Sequence, residues 1–240
     1  MRGRASLAWW PMTPAVKRIL IANAAIWVAL VVSVNWIGSA ALLDHLALTP
    51  ALVWPGLELW QPLTYMWLHS PTELSHILFN SLFLWMFGGT LERAWGSWPF
   101  VKFYAICGIG AGLVVLATGL CLAPAAPVAG ASGAIYGLVV AWAIAFPEQI
   151  VWFFGIFPMK GKHFALIPIG FAVVDFLLRG SGTSHAAHLG GMAVGALLVT
   201  GLWRPRRLRD RIRYWWLRRR IRSVRRDDDR PGPPGGGYWH

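Results

Sequence analysis

Six runs of apolar residues determine what this chain of 240 residues can fold into. None of them contains more than one charged side chain, and 56% of the whole sequence is hydrophobic whereas 13% is charged. A helix needs about 20 consecutive apolar residues to cross the hydrocarbon core of a bilayer. The sequence therefore predicts an all-α membrane protein, a polytopic bundle of six transmembrane helices. The runs cover residues 19–37, 74–91, 100–122, 132–146, 164–178 and 185–203.

The basic residues predict how these helices are oriented. More than half of the 22 Lys and Arg residues lie in the segment 204–230, and the segment 1–18 is also basic. Because cytoplasmic segments carry an excess of Lys and Arg, both termini are predicted in the cytoplasm, which requires an even number of spans. Six spans satisfy this requirement. They place Arg93, Lys102, Lys160 and Lys162 on the cytoplasmic side and leave Arg179 on the other side.

This topology divides the chain into three predicted parts. They are a cytoplasmic N-terminal segment (1–18), a six-helix domain (19–203) and a basic cytoplasmic tail (204–240). A cleaved signal peptide is the alternative for the first run, but its apolar core would be only about 7 to 15 residues long. The arrangement favours a bacterial plasma membrane as the location.

The tail is predicted to contact lipid rather than nucleic acid, although the formal net charge is +12. A basic segment behind an apolar body is typical of a membrane anchor. Helical spacing of four apolar residues predicts an amphipathic helix on anionic lipid, and residues 227–237 are predicted to be disordered. The four apolar positions are Leu208, Ile212, Trp215 and Trp216.

Two polar side chains inside the runs suggest covalent chemistry. Ser132 opens the fourth run within Gly130-Ala131-Ser132-Gly133, and His188 lies in the sixth run with Gly191 on the same helix face. In facing helices they can act as nucleophile and general base, because small neighbours allow a close approach. The alternative is structural, since serine among glycines and an interhelical histidine are both common in helix packing. An ionisable residue in a membrane span favours function.

The fourth run also predicts a submerged nucleophile. Its 15 residues make about 22 Å of helix, which is shorter than a hydrocarbon core of about 30 Å. If the end at Pro147 reaches the cytoplasmic surface, Ser132 lies below the opposite surface. Water must then reach the hydroxyl through a cavity in the bundle.

His76 and Asn80 are four residues apart in the second run and therefore share a helix face. They are candidate donors to an oxyanion, with hydrogen bonding between helices as the structural alternative. His185 is a rival base, and Asp175 is a rival third member of a catalytic triad or a structural aspartate. Four other histidines are expected in loops or on the surface, with His69 near the cavity as an alternative. They are His45, His69, His163 and His240.

The cysteines predict neither a disulfide nor a metal site. Cys107 and Cys121 lie in one apolar run, where helix geometry would separate them by about 21 Å. The chain has no paired CxxC or HExxH spacing, so no metal and no cofactor are expected.

Several motifs between about Trp60 and Gly195 together resemble the bacterial type of rhomboid intramembrane serine protease. A tryptophan-led approach ends in His69, and a Gly-Gly-x-x-Glu-Arg motif with a following Gly-Ser joins the second and third runs. The family often has arginine where this chain has Gln61, and Pro71 and Glu73 lie before His76. The motifs are Trp60-x-Pro62-Leu63-Thr64, His76-Ile77-Leu78-Phe79-Asn80, Gly88-Gly89-x-x-Glu92-Arg93 with Gly96-Ser97, Gly130-x-Ser132-Gly133 and Ala187-His188-Leu189-Gly190-Gly191.

The resemblance implies a dyad of Ser132 and His188 without an acidic third member. It also implies that His76, Asn80 and the Ser132 backbone N–H form the oxyanion site, and that Tyr136 packs against His188. Tyr136 follows Ser132 by four residues and lies on its helix face. Gly130, Gly133 and Gly191 are the supporting positions of the same motifs.

The expected function is that of an intramembrane serine endopeptidase that cleaves other proteins in or near their transmembrane segments. One alternative is a non-catalytic relative that binds membrane proteins for quality control. Such relatives typically lack a serine or a histidine at the positions that match Ser132 and His188, and this chain has both. Another is a small-solute transporter, but transporters commonly show internal repeats and broken helices in both halves, and this sequence has no internal repeat.

Overall fold

The computed structural model describes residues 12–153, 157–179 and 183–204, and the chain is mostly helical. Three of its helical stretches are long and apolar enough to cross a membrane: Pro14–Trp36, Leu74–Trp95 and Ser97–Leu122, with 23, 22 and 26 residues. Each coincides with one of the first three apolar runs. The sequence prediction of membrane-spanning helices is therefore confirmed for this part of the chain.

The first helix begins earlier than the apolar run suggested. Helix α1 covers Pro14–Val31 and continues as a π-helical turn over Val32–Trp36. Proline suits the first position of a helix for two reasons. Its fixed φ matches the helix, and an N–H at this position would have no acceptor within the helix in any case. Helix α1 thus includes Lys17 and Arg18, two charged residues that precede the apolar run.

The connection from residue 38 to residue 73 folds into short helices that pack against the bundle. They are α2 (Ala41–Leu46), α3 (Pro50–Val53), α4 (Gln61–Thr64) and a 3₁₀ turn at Tyr65–Trp67. Leu48 and Val128 exchange two backbone hydrogen bonds of 2.9 Å, and the N–H of Gly130 donates to the Tyr65 carbonyl at 3.0 Å. The connection therefore supports the segment that leads into the fourth run.

The second and third runs form a continuous helical hairpin. Helix α5 (Leu74–Phe83) passes through a π-helical turn (Leu84–Gly88) into α6 (Gly89–Trp95), and α7 covers Ser97–Leu122. Gly96 separates them with a φ of 85°, a conformation that glycine adopts without strain.

Helix α8 (Ser132–Ala145) is the central element of the core. It packs along α7 through small residues, with Gly133 of α8 facing Ala111 of α7 and Ala134 facing Gly108. Trp142, near its other end, is fully buried and meets the Phe87 ring edge-on at 5.0 Å between centroids. Helix α8 is thereby enclosed on several sides, which explains why its 14 residues show no polar face.

The described chain is mostly helical, but the prediction of an all-α protein was wrong for residues 150–153 and 157–160. Strand β1 (Ile150–Phe153) pairs antiparallel with β2 (Phe157–Lys160). Helix α8 ends before Pro147, and the β-branched and aromatic residues that follow favour a strand. Lys160 donates a hydrogen bond of 2.6 Å to Glu148, which also pairs with Lys162, and these two contacts lower the pKa of Glu148 to about 2.

Three further helices complete the described chain: α9 (Gly161–Phe164), α10 (Leu166–Arg179) and α11 (Thr183–Thr200). Helix α10 corresponds to the fifth apolar run and α11 to the sixth, and α9 leads into α10. By its contacts the chain separates into residues 1–199 and 200–240, and within the second unit residues 201–204 form a turn closed by a hydrogen bond of 3.0 Å from Arg204 N–H to the Gly201 carbonyl. The predicted amphipathic helix and disordered segment of the tail lie outside the described residues.

Candidate active site

Ser132 and His188 lie within hydrogen-bonding distance although 56 residues separate them in sequence. Ser132 is the first residue of α8, and His188 lies in the second turn of α11. The Ser132 Oγ and the His188 Nε2 are 2.9 Å apart, and both side chains are partly buried. This distance allows a proton to pass between the hydroxyl and the imidazole.

Glycines bring the two helices together. A Cβ atom on Gly191 of α11 would collide with the carbonyl oxygen of Gly133 of α8, and one turn further a Cβ on Gly195 would lie 2.6 Å from the carbonyl oxygen of Gly137. Backbones can approach this closely only where side chains are absent. The glycine spacing therefore places α11 near enough for His188 to reach Ser132.

The ring of Tyr136 stacks on His188. The ring centroids are 4.3 Å apart and the planes differ by 17°. Tyr136 lies one turn after Ser132 on α8, so the same helix supplies the hydroxyl and the surface that holds the imidazole. The structure thus places Tyr136 where the family resemblance implied.

His76 faces Ser132 from the other side, across Gly130. Gly130 has a φ of 132°, and a Cβ there would lie 2.7 Å from the His76 Nε2 and 3.8 Å from the Ser132 Oγ. The backbone N–H of Ser70 donates to the His76 Nδ1 at 3.3 Å. A neutral ring that accepts at Nδ1 carries its proton on Nε2, the nitrogen nearer to Ser132.

Asn80 lies one turn after His76 and has hydrogen-bonding capacity to spare. Only 7% of the residue is exposed, and its amide nitrogen has no hydrogen-bond partner among the described residues. Together with the other three predicted residues it borders a cavity of about 400 Å³. The cavity is lined by Glu73, Ser75, His76, Phe79, Asn80, Val128, Ala129, Ser132, Tyr136, Ser184, Ala187 and His188.

The rival residues lie elsewhere or outside the described part of the chain. His185 is buried in the first turn of α11, and it does not line the cavity. The side chain of Asp175 and all of His240 lie outside what the structure describes. His45 and His163 lie in the short helices α2 and α9 and are exposed, as expected of surface residues. Within the described residues no three His, Cys, Asp or Glu side chains are grouped to hold a metal ion.

His69 lies in a loop, as one form of the expectation had it, but it is not on the surface. The side chain is fully buried, and its ring meets the His76 ring edge-on at 5.2 Å between centroids. Burial, and secondarily the neighbouring His76, lower the pKa of His69 to about 4. A sequence motif alone does not predict this burial.

Tyr65 holds the segment that leads to Ser132 and was missed from the sequence, whereas Gln61 was noted there only as a departure from the family pattern. Tyr65 accepts the Gly130 N–H with its carbonyl, and its hydroxyl donates to the Gly108 carbonyl at 2.6 Å. Burial raises the pKa of Tyr65. Gln61 is also buried, and its side chain accepts from the Thr49 N–H at 2.8 Å. Both follow Trp60 in the tryptophan-led motif, which was the only signal available.

A model of the rhomboid domain matches residues 56–205 of this chain, which is more than half of its length. The chain belongs to the rhomboid family. All the residues that line the cavity fall within the matched region. The family and the apolar helices together identify a multi-pass, mostly helical membrane protein.

Named relatives support the rhomboid assignment. Rhomboid protein 1, mitochondrial, from Saccharomyces cerevisiae is 32% identical over 132 residues, covering 53% of this chain and 38% of the relative. Rhomboid protease GluP from Bacillus subtilis is 30% identical, covering 62% of this chain and 27% of the relative. Rhomboid protease AarA from Providencia stuartii is 30% identical, covering 62% of this chain and 58% of the relative. The chain thus spans between 27% and 58% of the length of these relatives.

Proposed function

We propose that this rhomboid protein is a serine endopeptidase that hydrolyses peptide bonds in or near the transmembrane segments of other membrane proteins. The observation that carries the proposal is the contact of 2.9 Å between the Ser132 Oγ and the His188 Nε2 at the edge of a cavity. Two relatives named as rhomboid proteases support the same activity. No cofactor is required for this chemistry.

In the proposed reaction Ser132 attacks the substrate carbonyl while His188 takes the hydroxyl proton on Nε2. The tetrahedral intermediate collapses when His188 returns that proton to the leaving amine, and an acyl-enzyme remains on Ser132. A water molecule, activated by His188 in turn, then releases the new carboxylate and restores the serine. Tyr136 keeps the imidazole plane in position throughout, because it covers one face of the ring.

The negative charge of the intermediate is proposed to develop between three donors. They are the Nε2–H of His76, the amide of Asn80 and the backbone N–H of Ser132. The last is suited to the role because the first N–H groups of a helix have no intrahelical acceptor, and Ser132 is the first residue of α8. Donors fixed in advance stabilise the oxyanion without reorganising during the reaction.

The finer architecture is also part of the proposal. Six spans are assigned by adding α8, α10 and α11 to the three long helical stretches, with both termini in the cytoplasm of a bacterial cell and the domain in the plasma membrane. The proposed parts remain 1–18, 19–203 and 204–240, with the basic tail on anionic lipid. The basic residues of the turns support this orientation.

The alternative is a non-catalytic rhomboid protein that binds membrane proteins. An activity-based fluorophosphonate separates the two, because it reacts only with an activated serine. We expect the probe to label Ser132 in detergent, and expect Ser132→Ala and His188→Ala to abolish labelling and cleavage of a model substrate while the protein stays folded. His185→Ala should retain substantial activity, and His163→Ala serves as the surface control. Cleavage that survives Ser132→Ala would remove the serine-protease assignment.

A further inference from the structure

A second cavity of about 510 Å³ runs between α1 and the start of α7. Its α1 wall consists of four residues at helical spacing, and its α7 wall of three. Trp67, from the 3₁₀ turn of the connection, also lines it. None of the residues that line it borders the cavity at Ser132. The wall residues are Ala15, Arg18, Ile19 and Ala22 on α1 and Ser97, Trp98 and Val101 on α7. We call this cavity the α1–α7 groove.

Two of the four α1 residues that line the α1–α7 groove are alanines. Ala15 lies one turn before the Arg18–Ile19 pair and Ala22 one turn after it. Their short side chains leave space on this face of α1 on both sides of the pair. The floor is apolar apart from Arg18 and Ser97. A largely apolar groove between two helices that can span a membrane fits a hydrocarbon chain rather than a water-soluble ligand.

The charged end of the groove is basic. Arg18 lines the groove, and the Lys102 ammonium lies 4.8 Å from the centroid of the Trp98 ring, which is 66% exposed. Within the described part of the chain neither Arg18 nor Lys102 forms an ion pair. Tryptophan together with Arg and Lys at helix ends is typical of the headgroup depth of a bilayer, where long basic side chains extend towards phosphate.

The acidic residue at this end is already engaged. Glu92 accepts hydrogen bonds from the N–H groups of Ala15 and Val16 and from the Ser97 hydroxyl, at 2.8, 3.0 and 2.6 Å. It therefore joins the starts of α1 and α7, the two helices that line the groove. The carboxylate of Glu92 is therefore occupied by these donors. Arg18 and Lys102 are the charged groups at this end that can bind a ligand.

We propose that the α1–α7 groove binds one anionic phospholipid of the cytoplasmic leaflet. An acyl chain lies along Ile19, Ala22 and Val101 towards Trp67, and the phosphate meets Arg18 and Lys102. The side of the membrane follows from the proposed topology, in which the start of α1 is cytoplasmic. Anionic lipids of that leaflet attract basic residues near the surface, so the charge and the apolar floor select the same class of molecule.

Photocrosslinking tests this site without any measurement of proteolysis. The full chain is reconstituted in phosphatidylcholine vesicles that contain a trace of phosphatidylglycerol with a diazirine in its acyl chain, and parallel vesicles carry the phosphatidylcholine analogue. After irradiation, mass spectrometry measures what share of all lipid adducts falls on the groove residues of α1 and α7. We expect a larger share with the phosphatidylglycerol probe than with the phosphatidylcholine probe.

Three variants make the test specific. Arg18→Ala should lower the groove share of phosphatidylglycerol adducts by about fivefold, the effect of losing one basic contact near an anionic lipid surface. Lys17→Ala removes the same charge from an exposed neighbour that does not line the groove, so it should leave the share unchanged. Ala22→Phe keeps the charge but fills the groove, and it should lower the share for both probes; circular dichroism checks its folding.

Two results would overturn the proposal. Equal groove shares for the two probes, or equal effects of Arg18→Ala and Lys17→Ala, would mean that only unspecific surrounding lipid is present. Protein–protein adducts at Trp98 and Val101 in place of lipid adducts would mean that a second copy of the chain covers the groove. Because adducts are counted on the intact protein, failure here is distinguishable from failure of the proposed protease activity.

Discussion

Asn80 and His76 differ in how much of their hydrogen-bonding capacity the fold already uses. The Nδ1 of His76 accepts from the Ser70 N–H, whereas the amide nitrogen of Asn80 has no partner among the described residues. A buried polar group without a partner costs about 1 to 3 kcal/mol. Such a cost is understandable where the donor faces a cavity and its partner is a group that appears only during a reaction.

This difference leads to a kinetic prediction for Asn80→Ala. If the amide donates to the oxyanion, kcat should fall by about 10² to 10³, the usual loss for one such donor, whereas KM should change little. Steady-state kinetics on a transmembrane model substrate measure both constants. An effect confined to KM would make Asn80 a residue that positions substrate, and an unchanged kcat would remove it from the oxyanion site.

His69 gives the protein a pH-dependent stability. Its pKa of about 4 in the folded state lies below its ordinary value of 6.5, so the unfolded chain binds the proton more readily. The neutral side chain stabilises the fold above pH 6.5, and this stability is lost as the pH falls from 6.5 towards 4. A shift of this size corresponds to about 3 kcal/mol.

Thermal unfolding in detergent between pH 7 and pH 4 tests this prediction. The melting temperature of the wild type should fall with pH, and His69→Gln should flatten that dependence because glutamine does not titrate. His163→Gln, which replaces an exposed histidine, should leave the wild-type slope unchanged. Identical slopes in all three proteins would show that His69 is not the group that titrates.

The sequence predicted residues with a chemical signature better than residues with a supporting role. Ser132 and His188 were recognisable because each stands among small residues in a short motif, and the structure brings their side chains together. Tyr65 and His69 gave no such signal. Both belong to the connection 38–73 and are fully buried, and Tyr65 is held by contacts to Gly108 and Gly130, which lie far from it in sequence.

At the scale of elements, Glu92 links three segments of the chain. Its carboxylate accepts the first free N–H groups of α1 and the hydroxyl of Ser97 at the start of α7, while its own backbone belongs to α6. The N–H groups at a helix start have no intrahelical acceptor, and the helix dipole favours a negative charge there. One side chain thus fixes where two spanning helices begin.

We predict that Glu92→Gln lowers the free energy of unfolding by about 2 kcal/mol, because hydrogen bonds to a charged acceptor are replaced by weaker ones and the amide N–H₂ faces other donors. Chemical or thermal unfolding followed by circular dichroism measures the change. Glu148→Gln is the matched control: it also removes a carboxylate with more than one partner, but that carboxylate is exposed, and little change is expected. Equal stability of wild type and Glu92→Gln would contradict the role assigned to Glu92.

The helices were predictable from the sequence where a long apolar run marks a membrane span, and the short elements between the runs were not. The long helices matched their apolar runs, because length and hydropathy alone identify a span. The hairpin at β1 and β2 was missed, because an apolar run of a few aromatic residues is compatible with either a strand or an interfacial coil. The Gly-Gly-x-x-Glu-Arg motif likewise marked Glu92 without indicating that its partners, Ala15 and Val16, lie 77 and 76 residues away.

At the scale of the whole molecule, the proposed topology predicts which residues water-soluble reagents reach. A background without native thiols is made by replacing Cys107 and Cys121, the second of which is exposed. In that background Arg179→Cys should react with an impermeant maleimide added to intact cells, whereas Lys160→Cys should react only after permeabilisation. The opposite pattern would overturn the six-span model with both termini inside, because basic residues were its main support.

If the proposed protease activity and topology hold, the depth of Ser132 decides which substrates can be cleaved. Helix α8 has 14 residues, or about 21 Å of helix, and Ser132 is its first residue. A serine that lies below the outer surface meets substrate segments that are still helical, and their carbonyls are hydrogen-bonded within the helix. Attack therefore requires local unwinding.

We therefore predict that helix-weakening residues near the outer end of a substrate span determine its rate of cleavage. In a model substrate with one Gly-Pro pair at that depth, replacement by Leu-Leu should slow cleavage by about tenfold or more, because interior glycine and proline cost a helix about 1 and 3 kcal/mol relative to alanine. Cleavage in reconstituted vesicles at matched substrate amounts measures the effect, and the same replacement at the cytoplasmic end of the span is the control. Equal cleavage of the outer-end variant and the parent would show that unwinding at the depth of Ser132 does not limit the reaction.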